Sequence, residues 1–327
     1  MNALVIGGTL FIGRHLVDAL HAAGHDVTIL HRNPNSALPA GAQSLIADRN
    51  DSESVRPALA GRSFDAVFDN VYDWQRGTTA AQVEATARAV SSDRLRVYVF
   101  MSSVAAYGSG LDHDEDDPLA PADDPDSYVR NKAASERTLF RMHKQEGFPV
   151  VTLRPPFIYG PGNPLYREAF FWDRLRDNRP IIVPDEGSRL MQFVYVHDLV
   201  RCCLRILQEP KALGHAFNVA NQEPVTQEQL VCDLAEAARH QARIVHVPRE
   251  TALAAGGHPM GPKLYFAVYY DLPPITERIQ KARDFLGLEP TPFRQGLRET
   301  YQWWLKNNRF PPPDYGYEDE LLSRAGS

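Results

Sequence analysis

Apolar residues in the first half of the chain follow two alternating rhythms. Short runs at Ala3–Ile6, Val27–Leu30, Ser44–Ile46, Ala66–Phe68, Val97–Met101 and Val150–Leu153 have the length of strands buried on both faces. After the first run, Phe11, Ile12, Leu16, Val17 and Leu20 recur at helical spacing, and Gly24 is placed to end that helix. Ser52–Leu59, Thr79–Val90 and Asp126–Gln145 read as further helices. This alternation calls for right-handed crossovers and a parallel sheet with both faces covered, so the predicted class is doubly wound α/β.

Beyond residue 160 the rhythm loosens. Helices are predicted at Leu165–Arg176, Asp198–Gln208, Thr226–His240, Ile275–Leu286 and Phe293–Asn307. Strands are predicted at Ile181–Val183, Phe193–Val196, Ala216–Val219 and Arg243–Val247. The expected organisation is a nucleotide-binding domain over residues 1–163, rejoined by 192–222. A smaller C-terminal α/β substrate-binding cap is expected from 164–191 and 223–327. A length of 327 residues suits a major and a minor core.

Composition narrows the function. Hydrophobic residues make up 43% and charged residues 23%, values of an ordinary globular chain. No apolar run is long enough to span a bilayer, and the start lacks the basic leader of a signal peptide. Cys202, Cys203 and Cys232 have no ligand-like spacing, which suggests a reducing, cytoplasmic setting and no metal. A net charge of -6 offers no general attraction to nucleic acid or membrane. The acidic stretch Asp112–Asp117 reads as a solvated loop. His197 and Asp198 read as a helix cap, Cys202 and Cys203 as packed helix residues, and one of Trp303 and Trp304 as core.

Gly7-Gly8-Thr9-Leu10-Phe11-Ile12-Gly13 lies between the first strand and the first helix, and that placement gives the glycines their meaning. Gly7 permits the tight turn, Gly13 lets the helix approach the strand, and the helix amides face a pyrophosphate. The second strand ends Leu30-His31-Arg32 with no carboxylate to accept from ribose hydroxyls. Arg32 suits a 2'-phosphate, so NADP(H) is favoured over NAD(H). Asp48 is placed either to accept from the adenine amino group or to cap the following helix.

Further motifs stand in a fixed order. They are Met101-Ser102-Ser103-Val104-Ala105-Ala106-Tyr107-Gly108, then Tyr128-Val129-Arg130-Asn131-Lys132, then Arg154-Pro155-Pro156-Phe157-Ile158-Tyr159-Gly160-Pro161-Gly162, Phe193-Val194-Tyr195-Val196-His197-Asp198 and Phe217-Asn218-Val219. With the glycine turn, this order resembles the extended short-chain dehydrogenase/reductases of the NAD-dependent epimerase/dehydratase type, a Rossmann-fold family, from residue 2 to about 305. The resemblance implies catalysis by Ser103, Tyr128 and Lys132. It implies cofactor contacts from Gly7, Thr9, Leu10, Phe11, Ile12, Gly13, Arg32, Asp48, Asn70, Val71, Tyr128, Lys132 and Pro155. Ser103, Tyr72, Phe157 and Arg189 are the substrate candidates. The implied partner is a small molecule, with a homodimer through the helices at Thr79–Val90 and Asp126–Gln145.

The physics of the pair agrees. Tyr128 and Lys132 share one helix face, and an ammonium with a cationic nicotinamide favours a phenolate. That phenolate removes a hydroxyl proton while hydride leaves the same carbon, or the reverse. The chain also departs from the family pattern. Leu10 replaces the middle glycine, as in atypical members similar to chloroplast stem-loop-binding proteins, which are associated with RNA. Asp69-Asn70-Val71-Tyr72 replaces a His-Leu-Ala segment, Phe157 stands for an Asn, and Met191 for an Arg whose diphosphate role would pass to Arg189. The expected activity is hydride transfer at a hydroxyl or keto carbon, with a nucleotide sugar as one candidate substrate. The alternatives are NADPH-dependent reduction of a small carbonyl compound and RNA binding by a catalytically weak Rossmann protein.

Overall fold

The computed structural model describes residues 1–325, so the last two positions of the predicted cap lie outside it. Seven parallel strands form the central sheet: β1 (Asn2–Ile6), β2 (Asp26–His31), β3 (Gln43–Ile46), β4 (Ala66–Asp69), β5 (Val97–Met101), β6 (Val150–Arg154) and β7 (Ala216–Asn218). Their spatial order is β7-β6-β5-β4-β1-β2-β3. Val5 sits opposite Ile29 and Phe68, Val99 opposite Val151, and Leu153 opposite Phe217.

Alternate residues of each strand feed two cores. Ala3, Val5, Ile29, Phe68, Val99 and Leu153 pack beneath helices α1 (Phe11–Ala22) and α6 (Val196–Ile206). Leu4, Ile6, Leu30, Val67 and Phe100 pack beneath α2 (Ser52–Leu59), α3 (Ala80–Val90) and α4 (Ser127–Glu146). Both faces are covered, which is why these strands read as unbroken apolar runs.

A third core is rich in aromatics. Tyr159, Phe170, Phe171, Trp172, Phe193, Tyr265, Phe266, Tyr270 and Trp304 pack among α5 (Glu168–Arg176), α7 (Gln227–Ala238), α8 (Arg249–Ala254), α10 (Phe293–Asn307) and α11 (Gly316–Ala325), with Leu321 on the last helix, whereas α9 (Gln280–Leu286) lies against the sheet. Ile12 and Ile158 touch this core and the sheet core alike. Short paired strands link the parts: 157–159 with 193–195, 181–184 with 244–247, 190–191 with 225–226, and 110–113 with 275–277.

Several expected elements differ. The helix predicted over Ile275–Leu286 begins only at Gln280, because Ile275–Glu277 is a strand paired with Gly110–His113. Its backbone is claimed by Gln192, which bonds both the amide and the carbonyl of Glu277. Its partner Gly110–His113 takes Asp112 and His113 out of the predicted acidic loop. Val196 opens α6 rather than ending a strand, and Tyr195 flanks that helix without a side-chain cap. Asp198 does not cap it either; its carboxylate accepts from the Thr291 amide and hydroxyl, while His197 meets His15 across 3.2 Å. Cys202 and Cys203 are buried, as is Trp304. Among the described residues no helix is long and apolar enough to cross a membrane.

Candidate active site

The site begins where β1 turns into α1. Gly7 holds φ at +85°, and a Cβ there would come 2.5 Å from Val71 Cγ2. A Cβ on Gly13 would fall 1.9 Å from the Gly7 carbonyl oxygen, so helix and turn meet backbone to backbone. Leu10 flanks α1 in an extended conformation, with no side-chain hydrogen bond at the cap and 69% of its surface exposed. The first-turn amides of α1 are therefore left without a side-chain cap, at the positive end of the helix dipole. Phe11 follows with φ of 38° and Ile12 anchors the turn between two cores. Beside the turn, both amide atoms of Asn70 are buried without a partner. A narrow glycine cradle, uncapped amides and an orphaned amide fit a pyrophosphate-linked dinucleotide.

At the end of β2 the charges are not free. Arg32 donates to Asp73 Oδ2 at 2.9 Å. Arg76 donates to the same oxygen through Nε (2.9 Å) and Nη2 (2.8 Å), and reaches Asp48 Oδ2 at 2.6 Å. The amides of Arg76 and Gln75 also donate to Asp73, and these bonds hold its carboxyl well below the usual range. Asp48 accepts from the Asn50 amide, whereas Asp51 caps α2. Arg76 was not foreseen, because it comes from the irregular segment after β4 rather than from a strand end.

Catalytic candidates gather beyond β4 and β5. Ser103 follows β5 and accepts from the Ala105 amide, while Pro155 at the end of β6 accepts from the Val104 amide. Ser102 turns the other way and donates to buried Glu136. Asp126 caps α4 by accepting from the Tyr128 amide at 2.7 Å, which fixes the first turn. One turn on, Lys132 is 5% exposed and donates to the Met101 carbonyl at 2.6 Å. Its ammonium lies 5.8 Å from the centre of the Tyr128 ring and 5.5 Å from that of Tyr72. Burial pushes the Tyr128 phenol up to about 12, opposed by a hydrogen bond with Ser103, and pulls Lys132 down to about 8. The free chain thus holds Tyr128 protonated, with the positive charge of Arg167 also working to lower it.

Two further aromatics enclose the phenol. Tyr72 meets Tyr128 edge-on at 4.7 Å, and Trp74 stacks on it at 4.8 Å. The other face of this row is Tyr269, stacked on Trp74 at 5.6 Å. Phe157 packs edge-on against Tyr270. Arg189 is engaged by Asp271, which also accepts from Arg249 and Tyr265. Arg167 lies over Phe157, Tyr269 and Tyr270. Trp74, Arg167 and Tyr269 sit in non-repeating stretches, where periodicity gives no signal.

The model of the NAD dependent epimerase/dehydratase family matches residues 3–220. The chain is 30% identical over 342 residues to the chloroplast stem-loop binding protein of 41 kDa b from Arabidopsis thaliana, covering 98% of this chain and 84% of that protein. It is 27% identical to dTDP-4-dehydro-6-deoxy-D-allose reductase from Streptomyces bikiniensis, covering 94% and 97%. Among solved structures, dTDP-glucose 4,6-dehydratase from Bacillus anthracis in complex with NAD superposes with a TM-score of 0.74 at 18% identity, covering 94% and 97%.

Proposed function

The chain belongs to the NAD dependent epimerase/dehydratase family, and on that premise we propose that it moves hydride between a nicotinamide dinucleotide and a hydroxyl or keto carbon of a nucleotide sugar. The observation that carries this reading is the set of Ser103 at the end of β5 with Tyr128 and Lys132 on one face of α4, beside the glycine cradle. Residues 1–163 with 192–222 act as the cofactor half, and the rest as the substrate cap. A cytoplasmic homodimer is the working form.

Bound nicotinamide supplies or accepts the hydride. Tyr128 holds the proton at Oη and gives it to the substrate oxygen, or takes it back in the reverse direction. Ser103 Oγ positions that oxygen. Lys132 contributes positive charge beside the ring, and Gly7, Thr9, Leu10, Phe11, Ile12 and Gly13 carry the pyrophosphate. Asn70, Val71 and Pro155 line the nicotinamide side, while Arg32 and Arg76 favour NADP(H) through its 2'-phosphate.

Tyr128→Phe tests the reading. With the nucleotide released from the purified chain identified by mass and a turnover found among dTDP- and UDP-sugars, the variant should keep cofactor affinity and lose ~10²–10⁴-fold in turnover. Full turnover in the variant would overturn it. The stem-loop-binding relative supports a second reading, an RNA-binding Rossmann protein. Salt-sensitive RNA binding, together with no turnover of any nucleotide sugar, would put that reading in its place.

A further inference from the structure

Four arginines of the described chain are buried to nine-tenths or more: Arg49, Arg154, Arg167 and Arg174. Three have a carboxylate. Arg49 pairs with Asp69, Arg154 with Glu136 at 2.7 Å, and Arg174 with Glu318 at 2.8 Å. Arg167 has none within ion-pair distance among the described residues, and its Nε is buried with no hydrogen-bond partner. The adjacent acid, Glu168, faces it as a charge but takes its hydrogen bonds elsewhere, accepting from Tyr270 Oη at 2.6 Å and Asn163 Nδ2 at 2.9 Å.

A buried guanidinium with an N–H left unsatisfied is costly unless something supplies an acceptor. The guanidinium is held where such a group would be useful. Its backbone precedes α5, with the amide bonded to Leu165 O, and its plane lies 5.2 Å from the centre of Phe157 and 5.7 Å from Tyr269. Tyr269, Trp74 and Tyr128 then form one stacked row. The other cap cations beside the cleft, Arg189 and Arg249, already share Asp271.

We propose that Arg167 is the receptor for an oxyanion of the substrate, a carboxylate or a phosphate, gripped by the planar guanidinium fork at the cap end of the Tyr128–Trp74–Tyr269 row. This rests on the reading of the cleft as a substrate site. It makes the chain selective for anionic over neutral ligands.

The experiment uses the full chain at constant ionic strength, with NADP(H) present to fill the α1 cradle. Inorganic pyrophosphate, D-glucuronate and glucose are titrated by calorimetry and followed by thermal shift. Pyrophosphate or glucuronate should bind and raise Tm, glucose should not, and whichever binds identifies phosphate or carboxylate as the source. Arg167→Gln should weaken that binding at least tenfold, and Arg167→Lys should restore part of it. Without ligand, the circular dichroism of Arg167→Gln should match that of the parent, so that lost binding is not lost fold. Oxyanion binding unchanged in Arg167→Gln, or absent from the parent with NADP(H) bound, would overturn the proposal. Failure of the parent to bind any dinucleotide would instead count against the functional reading, since Arg167 lies in the cap and not in the cradle.

Discussion

Lys132 carries its ammonium into a pocket of rings, with Phe100, Tyr72 and Tyr128 around it and the Met101 carbonyl as its acceptor. Burial lowers its pKa from 10.5 to about 8. Below pH 8 the group is charged in both folded and unfolded chains, and the folded chain bears the full desolvation penalty. Between about 8 and 10.5 the unfolded chain binds the extra proton, so stability rises with pH in that window. Relative to Lys132→Met, the wild type should therefore gain up to about 3 kcal/mol in unfolding free energy across it, measured by urea melts at each pH. A difference that stays flat would show that the ammonium is not destabilised. Arg32 offers a second test at this scale. Arg32→Ala should weaken NADP(H) binding by about 1–2 kcal/mol and leave NAD(H) nearly unchanged, because Arg76 keeps part of the positive field. Equal losses for the two cofactors in calorimetry would overturn the preference. Tyr128 and Lys132 were legible because a helix converts their spacing into adjacency. Arg76 and Arg167 were not, since only tertiary structure decides which cation has a partner.

At the scale of elements, the approach of α1 to the β1 turn is the tightest constraint. The methyl group of Gly13→Ala would meet backbone on the Gly7 side, which cannot rotate away as a side chain can. The helix must move outward, at about 1–3 kcal/mol for overpacking. The expected result is a lower Tm and loss of dinucleotide binding, read by thermal shift with and without cofactor. A variant that still binds would mean the cradle is looser than its geometry. Strands and long amphipathic helices were readable from pattern alone; α10 spans Phe293–Asn307 as expected. Pieces that exist only through their partners were not. Phe157–Tyr159 becomes a strand by lying beside Phe193–Tyr195, and Ile275–Glu277 by lying beside Gly110–His113. Phe, Ile, Tyr and Thr favour strand, but three residues are too few for periodicity to reveal one.

Across the whole molecule, the chain leaves the sheet after β6, builds part of the aromatic core, and returns to lay β7 on the β6 edge. It then goes back to finish that core, where α11 is clamped by Arg174 to Glu318. The sequence conveyed the alternation of the first half clearly, because most of its strands are followed by a helix. It conveyed the return less clearly, because β7 pairs with residues more than sixty positions earlier. That return has a consequence for genetic dissection. A fragment ending at residue 163 would keep the glycine cradle but present the β6 edge as a bare row of amides and carbonyls, open to pairing with other chains. A split-protein design that respects the fold must keep β7 with the cofactor half and cannot be cut at a single junction.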